Sequence, residues 1–117
     1  MRERFAAVIA NHAVLHRAGA RIVCGTDAGV GPSKPHDVLP YGVSSSLPAI
    51  GMTNAEALTA ATAVAAEVCG LANITGTLET GNDAGILAVA GNPLEDITAI
   101  HDVLAVFVRG ARAPISI

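Results

Sequence analysis

Hydrophobic residues recur every three or four positions near the start of the chain, which is the spacing of one face of an α-helix. Phe5, Val8 and Leu15 follow this pattern, and Gly19 stands where a helix commonly ends. The spacing predicts a helix over 3–18 with one apolar stripe.

Two histidines in this predicted helix, His12 and His16, are four residues apart and therefore share a helix face. That separation can serve two metal ligands. No zincin pattern accompanies the pair, and His12 falls within the apolar stripe. We therefore interpret both as packing histidines.

The hydrophobic pattern changes after the helix. Residues 21–26 form a short, almost wholly apolar run, typical of a strand buried on both faces in a parallel sheet. Residues 27–48 are rich in proline and glycine and include three consecutive serines. This composition predicts a long loop, with a short helix near 43–50, and loops of such length usually carry function.

A second helix is signalled by a capping box. The Thr53 side chain can accept a hydrogen bond from the Glu56 amide, and Glu56 can reach back. The alanine-rich segment that follows predicts a helix over 54–69 that stops at Gly70. Further along, turn residues separate two apolar runs that have the length of strands, at 86–89 and 103–108.

Composition limits what the chain can be. It has 117 residues, of which 51% are hydrophobic, 3% aromatic and 15% charged. A complete (β/α)₈ barrel needs at least about 200 residues, so the chain is too short for one. The charged fraction is below the roughly 25% of ordinary soluble domains, so we expect part of the surface to lie against another protein segment.

Charge and cysteine content exclude further classes. Seven Lys and Arg residues against ten Asp and Glu residues, with no basic run, predict no nucleic-acid partner. No apolar stretch reaches 18 residues, so we expect no membrane span. Cys24 and Cys69 stand far apart and no signal-peptide pattern is evident, which favours a cytoplasmic location with reduced thiols.

Asp27 is the most informative candidate for chemistry, because it comes directly after the predicted strand and opens a glycine-containing loop. In parallel α/β folds, catalytic groups sit at the carboxyl ends of strands. An aspartate there can bind a metal through oxygen or accept a proton from an activated water. It can equally cap the following turn, and position alone leaves both interpretations open.

Other polar residues of the loop are weaker candidates. His36 could contact substrate or a metal if the loop folds back towards Asp27; otherwise it is an exposed histidine. Lys34 and His101 are interpreted as solvated. The serines at 44–46 lack the G-x-S-x-G pattern of a nucleophile elbow and are interpreted as loop or helix-start polarity.

The chain resembles the C-terminal part of the amidohydrolase superfamily, most closely its imidazolonepropionase- and prolidase-like branch. The resemblance covers nearly the whole chain and rests on motifs that occur in the family's order, at 18–29, 51–62, 76–81 and 91–97. It implies an α/β fold in which 1–72 is the last αβα part of a TIM-type (β/α)₈ barrel. Residues 73–117 would then be the C-terminal strands of a small β-sandwich.

The resemblance also implies an activity. Family members hydrolyse amide, peptide or cyclic amide bonds of small-molecule or peptide-like substrates with water activated by a divalent metal, commonly zinc. In that pattern Asp27 ends the eighth barrel strand, contacts the metal and takes a proton from the water. His36 is the candidate substrate-binding residue, although Asp37 replaces the glycine that often follows it.

The family's other metal ligands would lie before residue 1. We therefore expect the isolated chain to be inactive, and to associate with a missing N-terminal part or to form an oligomer. A second interpretation is a non-catalytic remnant or assembly module that docks onto another chain.

Overall fold

A computed structural model describes residues 2–115 as a layer of helices followed by a three-stranded antiparallel sheet. The helical part comprises α1 (Arg2–Arg17), α2 (Leu39–Tyr41), a π-helical turn (Gly42–Ser46), α3 (Leu47–Ala49), α4 (Asn54–Ala61) and α5 (Ala63–Val68). The sheet part comprises β1 (Ile86–Val89), a 3₁₀ helix (Ile97–His101), β2 (Val103–Val108) and β3 (Ala111–Ala113).

Helix α1 has nearly the predicted limits, but it does not bury the predicted stripe. Ile9 and Ala13 pack against the core, whereas Phe5 is 62% exposed and Leu15 is 51% exposed. His12 is exposed as well, and its Nδ1 lies 2.8 Å from the carbonyl oxygen of Val8, so its interpretation as a packing histidine is wrong. The stripe lacks a covering layer among the described residues.

The predicted strand over 21–26 is not hydrogen-bonded as a strand. Burial alternates along the segment, with Ile22 and Cys24 packed against the core and Val23 exposed, so one face is covered and not two. The Cys24 amide donates to the carbonyl of Ala60 at 3.1 Å. Parallel strands need neighbouring strands, and the only strands within residues 2–115 are β1, β2 and β3.

The predicted short helix near 43–50 is confirmed and begins earlier, at α2. Within the π-helical turn, the Leu47 amide donates to the carbonyl of Gly42, five residues back. Pro48 has no N–H to donate to a carbonyl of the preceding turn, which accommodates this wider spacing. Gly42 faces Cys24, and a Cβ at position 42 would lie 3.5 Å from the Cys24 Sγ.

The helix predicted over 54–69 is divided into α4 and α5 by Thr62, so its continuity was predicted wrongly. Thr62 has φ −123° and ψ −89°, and its hydroxyl donates to the carbonyl of Leu58 at 2.8 Å. Threonine hydroxyls that bond back to the preceding turn commonly bend helices. The stop at Gly70 is confirmed, since Gly70 takes the left-handed φ of +73°.

The N-terminus of α4 is capped as the sequence predicts, but only in one direction. Thr53 Oγ1 accepts from the Glu56 amide at 3.2 Å. The Glu56 carboxylate instead accepts from His16 Nε2 at 2.8 Å, which joins α4 to α1. His16 is half-buried in this contact, as expected of a packing residue.

Replacing the capping residue, Thr53→Ala, is expected to lower the free energy of unfolding by about 1 kcal/mol, because it leaves an amide of the first helical turn without its acceptor. Urea denaturation followed by circular dichroism measures the effect. Thr59→Ala is the matched control, since the Thr59 hydroxyl only bonds the Ala55 carbonyl within the helix. An equal loss in both variants would show that the cap contributes nothing.

The core joins the helices to the sheet part. Its buried side chains come from the segment around the π-helical turn, from α4 and from the 3₁₀ helix: Val43, Leu47, Ile50, Ala57, Ala60, Ile97 and Ile100. Two of these seven, Ile97 and Ile100, lie in the sheet part. The sheet part therefore packs against the helices and shares their core.

The sheet contains both predicted strands and a third, β3, that the sequence did not reveal. β2 and β3 pair in an antiparallel hairpin whose turn residues, Arg109 and Gly110, have φ of +50° and +79°. Two consecutive positive φ values are the signature of a type I′ turn. A strand of three residues with a central arginine is too short to show a period.

One ion pair holds the segment at 21–26 against α5. Arg21 Nη1 donates to Glu67 Oε1 at 2.7 Å, and Nη2 donates to Oε2. The hydrogen bond from Arg21 lowers the pKa of Glu67 below its ordinary 4.5, opposed by slight desolvation. A carboxyl with a lowered pKa stabilises the fold above its unfolded-state pKa and stops doing so as pH falls through its folded-state pKa.

We therefore expect Glu67→Gln to reduce the melting temperature slightly at pH 7, because this exposed pair is screened by water. The difference from the native chain should vanish when pH falls well below 4.5. Thermal melts between pH 7 and pH 3 measure it, with the exposed Glu95→Gln as control. A difference that stayed constant with pH would contradict the assignment.

Candidate functional site

The site forms where the segment at 21–26 ends. Asp27 has a φ of +50°, a left-handed conformation that is uncommon for residues other than glycine but is tolerated by Asp and Asn. The preceding Thr26 accepts a hydrogen bond from the Ala28 amide through its Oγ1 at 3.0 Å. These features turn the chain sharply and leave the Asp27 side chain 79% exposed.

The cap interpretation of Asp27 finds no support in its contacts. The side chain that caps this turn is Thr26, whose hydroxyl binds the backbone amide. The Asp27 carboxylate is instead contacted by Lys34 Nζ, 3.4 Å from Oδ2. The Asp27 carboxylate thus has no backbone partner and is open to solvent, while the Asp27 carbonyl accepts from the Val30 amide at 3.3 Å.

Backbone hydrogen bonds close the loop after Asp27. The Gly29 amide donates to the Lys34 carbonyl at 2.7 Å, and the Lys34 amide donates to the Gly31 carbonyl at 3.0 Å. These hydrogen bonds bring the backbone at Lys34 next to Gly29, and the Lys34 side chain then lies beside Asp27. Lys34 was interpreted as solvated; it is 47% exposed but makes the one ion pair of the loop.

His36 lies against the same closed loop. A Cβ at Gly29 would be 2.8 Å from His36 Cε1, so only a glycine lets the imidazole rest on the backbone there. Gly29 also has a φ of +87°. The closed loop therefore places His36 against Gly29 and Lys34 beside Asp27.

A divalent metal finds only part of its ligand set in this chain. Catalytic zinc ordinarily takes three protein ligands. Residues 2–115 contain no group of three or more His, Cys, Asp or Glu side chains that could hold a metal ion. Asp27 fits as one oxygen ligand, and the other ligands would have to come from outside the described chain.

The sequence did not predict a second polar cluster, which lies where the π-helical turn meets the 3₁₀ helix. Ser44 Oγ lies 2.9 Å from His101 Nε2, and the Tyr41 and His101 rings are 5.0 Å apart between centroids. His101, interpreted as solvated, is exposed but has these two partners. The residues are 57 positions apart, so no local pattern could have paired them.

An open groove lies apart from the site. It encloses about 900 Å³ between α4, α5 and β1, and its walls are mainly apolar, including Leu58, Ala66, Leu78 and Ile86. None of Asp27, Lys34 or His36 lines it. The groove walls offer no carboxylate or imidazole.

Residues 2–115 hold no helix with the length and apolar character that crossing a lipid bilayer requires.

We compared the chain with models of known protein families and with proteins of known function or structure. A family model described as the amidohydrolase family matches residues 2–112. A search of curated proteins gave no match. The sequence resemblance to this superfamily is thereby confirmed.

Solved structures share the fold. A protein described as a prolidase, from Bifidobacterium longum, is 33% identical with a TM-score of 0.82, over 90% of this chain and 26% of that one. A Xaa-Pro dipeptidase with bound methionine in its active site is 28% identical with a TM-score of 0.81, over 91% and 25%. Phenylurea hydrolase B is 28% identical with a TM-score of 0.74, over 88% and 26%.

The chain thus spans about a quarter of the length of these structures. The matched part is the α/β segment with its three-stranded antiparallel sheet.

Proposed function

Because this chain belongs to the amidohydrolase family, we propose that it is the C-terminal part of a metal-dependent hydrolase that cleaves amide, peptide or cyclic amide C–N bonds. In this proposal, 1–72 completes a (β/α)₈ barrel and 73–117 contributes the last strands of a β-sandwich. The observation that carries the proposal is the exposed Asp27 carboxylate, held in a left-handed turn where the core-packed segment ends.

Asp27 acts as general base and as one metal ligand. A divalent metal, zinc in our proposal, lowers the pKa of a water when bound and so makes it a nucleophile at neutral pH. The chain's own part is to accept the proton at an Asp27 carboxylate oxygen and to deliver it to the departing nitrogen. The hydrogen bond that Thr26 Oγ1 accepts from the Ala28 amide holds the turn that presents this carboxylate to solvent.

His36 is proposed to contact substrate. Its imidazole is exposed and rests on Gly29, two residues after Asp27, so it can meet a molecule that lies against the loop. Substrates would be small-molecule or peptide-like amides.

The remainder of the enzyme has to cover the open surfaces of this chain. Phe5 and Leu15 on α1 and Val23 in the segment at 21–26 are exposed apolar side chains, and the apolar groove beside β1 is open as well. Exposed apolar patches of this kind mark places where protein is bound. We propose that the N-terminal part of a cytoplasmic hydrolase packs there and that the isolated chain has no activity.

A chimera tests the proposal. The matching quarter of the Bifidobacterium longum prolidase-like protein is replaced by this chain, and hydrolysis of a dipeptide and amide panel is followed with zinc, with chelator, and after zinc is restored. We expect activity that the chelator abolishes and zinc restores. A folded chimera without metal-dependent activity would contradict the function, and turnover by the 117-residue chain alone, lost on Asp27→Ala, would contradict its predicted inactivity.

The exposed apolar surface also fits the second interpretation, a non-catalytic module that docks onto another chain. Binding and activity measurements together distinguish the hydrolase from the docking module. A docking module would bind the separately expressed N-terminal part of the prolidase-like protein in size-exclusion chromatography, yet the complex would hydrolyse nothing.

A further inference from the structure

We infer that the open edge of β1 binds β1 of a second copy of this chain, so that two three-stranded sheets join into one sheet of six strands. The inference concerns the 117-residue chain by itself and goes beyond the proposed function. In the sheet order β1-β2-β3, β1 has β2 on one side, and residues 2–115 provide no strand on the other side. An unpaired strand edge is a template for another strand.

The two edges of the sheet differ in how they are protected. β3 carries Arg112 at its centre and is followed by Pro114, and a charge and a proline both hinder pairing at an edge. β1 has neither, and residues 84–94 contain no charged side chain. Leu87 of β1 is 51% exposed. The sheet therefore favours further pairing at β1 and disfavours it at β3.

Backbone hydrogen bonds show which groups β1 offers at its open edge. The Ala84 carbonyl accepts from the Gly110 amide at 3.0 Å. The Ala90 amide donates to the Asp102 carbonyl at 2.9 Å, so Ala84 and Ala90 both face the β2 side. Successive residues of an antiparallel strand face opposite sides, and Leu87 lies three positions from each of these two. The amide and carbonyl of Leu87 therefore point to the open edge.

This edge is complementary to itself, which favours a second copy as its partner. Around a two-fold axis at Leu87, the Leu87 amide of each copy donates to the Leu87 carbonyl of the other, which is the hydrogen-bonded pair of an antiparallel ladder. Val89 faces the same side two positions further on, and its amide would donate to the Gly85 carbonyl of the other copy. Each hydrogen bond thus forms twice across the axis.

The chain exposes enough surface for such an interface. Its accessible area is 8182 Å², whereas a folded monomer of 11.7 kDa exposes about 5,900 Å². The excess of about 2,300 Å² is larger than the roughly 800 Å² that each partner buries in a standard interface. The groove beside β1 adds apolar walls, including Leu58, Leu78 and Ile86, against which side chains of an added strand would pack.

Sedimentation equilibrium of the 117-residue chain at several concentrations tests the inference, and we expect a monomer–dimer equilibrium. Leu87→Lys places a charge on the open edge and should raise the dimer dissociation constant about tenfold or more. Leu104→Lys is the matched control, because Leu104 is 58% exposed but lies on β2, the central strand. It should leave the dissociation constant unchanged. Circular dichroism shows that each variant keeps its fold.

Hydrogen exchange of the native chain, followed by NMR, locates the interface without any substitution. The Leu87 amide should exchange more slowly as protein concentration rises, because dimer formation gives it an acceptor. The Ala88 amide is the internal control, since by the same alternation it faces β2. This measurement decides the matter if Leu87→Lys does not fold.

Three results would overturn the inference: a chain that stays monomeric, a dimer that folded Leu87→Lys leaves intact, or a Leu87 amide whose exchange is independent of concentration. A monomer that instead binds the separately expressed N-terminal part of the prolidase-like protein would assign the β1 edge to the hydrolase. Failure of the proposed function looks different, because the chimera would hydrolyse nothing while the chain still formed dimers.

Discussion

Asp27→Asn is expected to lower kcat of the chimeric enzyme by about 10²–10⁴-fold, the usual contribution of a positioned proton-transfer group. Asparagine has nearly the shape of aspartate and also tolerates the left-handed φ of +50°, so the turn should keep its form. The amide cannot accept the proton that the carboxylate takes. The loss should therefore appear in activity and not in the melting temperature.

Asp37→Asn is the matched control for this experiment. Asp37 is an exposed aspartate in the same loop, and it makes none of the side-chain contacts that surround Asp27. Steady-state kinetics with a dipeptide substrate and metal analysis of both variants complete the measurement. Equal activity of Asp27→Asn and the unaltered chimera would remove Asp27 from the mechanism.

Gly76→Ala is expected to lower the free energy of unfolding by about 2–4 kcal/mol. Gly76 has a φ of +96°, which an alanine adopts only with strain. A Cβ there would also lie 2.5 Å from the Cβ of the buried Ala66 and 3.0 Å from the Thr62 carbonyl oxygen. Thr62 directly precedes α5 and Ala66 lies within it, so relief requires moving that helix.

Gly81→Ala separates the effect of backbone strain from the effect of close packing. Gly81 has almost the same φ, +97°, but no atom lies within 4 Å of its added Cβ. Its loss should be limited to the backbone strain, about 1–2 kcal/mol. Urea denaturation of both variants gives the difference, and equal losses would mean that the tight packing of Gly76 on α5 contributes nothing.

The position of the candidate site was predictable where it depends on residues that are neighbours in the sequence. Asp27 follows the run at 21–26 and stands two residues before Gly29, and the structure exposes its carboxylate at that point. The contact with Lys34 was not predictable, because it depends on backbone hydrogen bonds that close the loop. The sequence left two alternatives for His36, an approach to Asp27 or an exposed histidine, and the structure exposes it with its ring against Gly29.

The fold divides in a similar way. The extent of α1 and the hydrogen bond that Thr53 accepts from the Glu56 amide are properties of neighbouring residues, and both appear as predicted. The interruption at Thr62 is also local, but a threonine hydroxyl can bond back to its helix or not, and the sequence does not decide which. β3 forms because it pairs with β2. Its three residues are too few to show the alternation of apolar and polar positions that marks a strand.

By itself, the sequence determined where α1, β1 and β2 form, where α4 is capped and which carboxylate follows the apolar run at 21–26, because each depends on residues a few positions apart. Only the tertiary structure decided which face of α1 is covered, that Lys34 meets Asp27 and that Ser44 meets His101. Those outcomes depend on packing and loop closure between distant segments. Hydrophobic spacing predicts that a face is apolar, but a partner is needed to bury it, and α1 leaves Phe5 and Leu15 open for one.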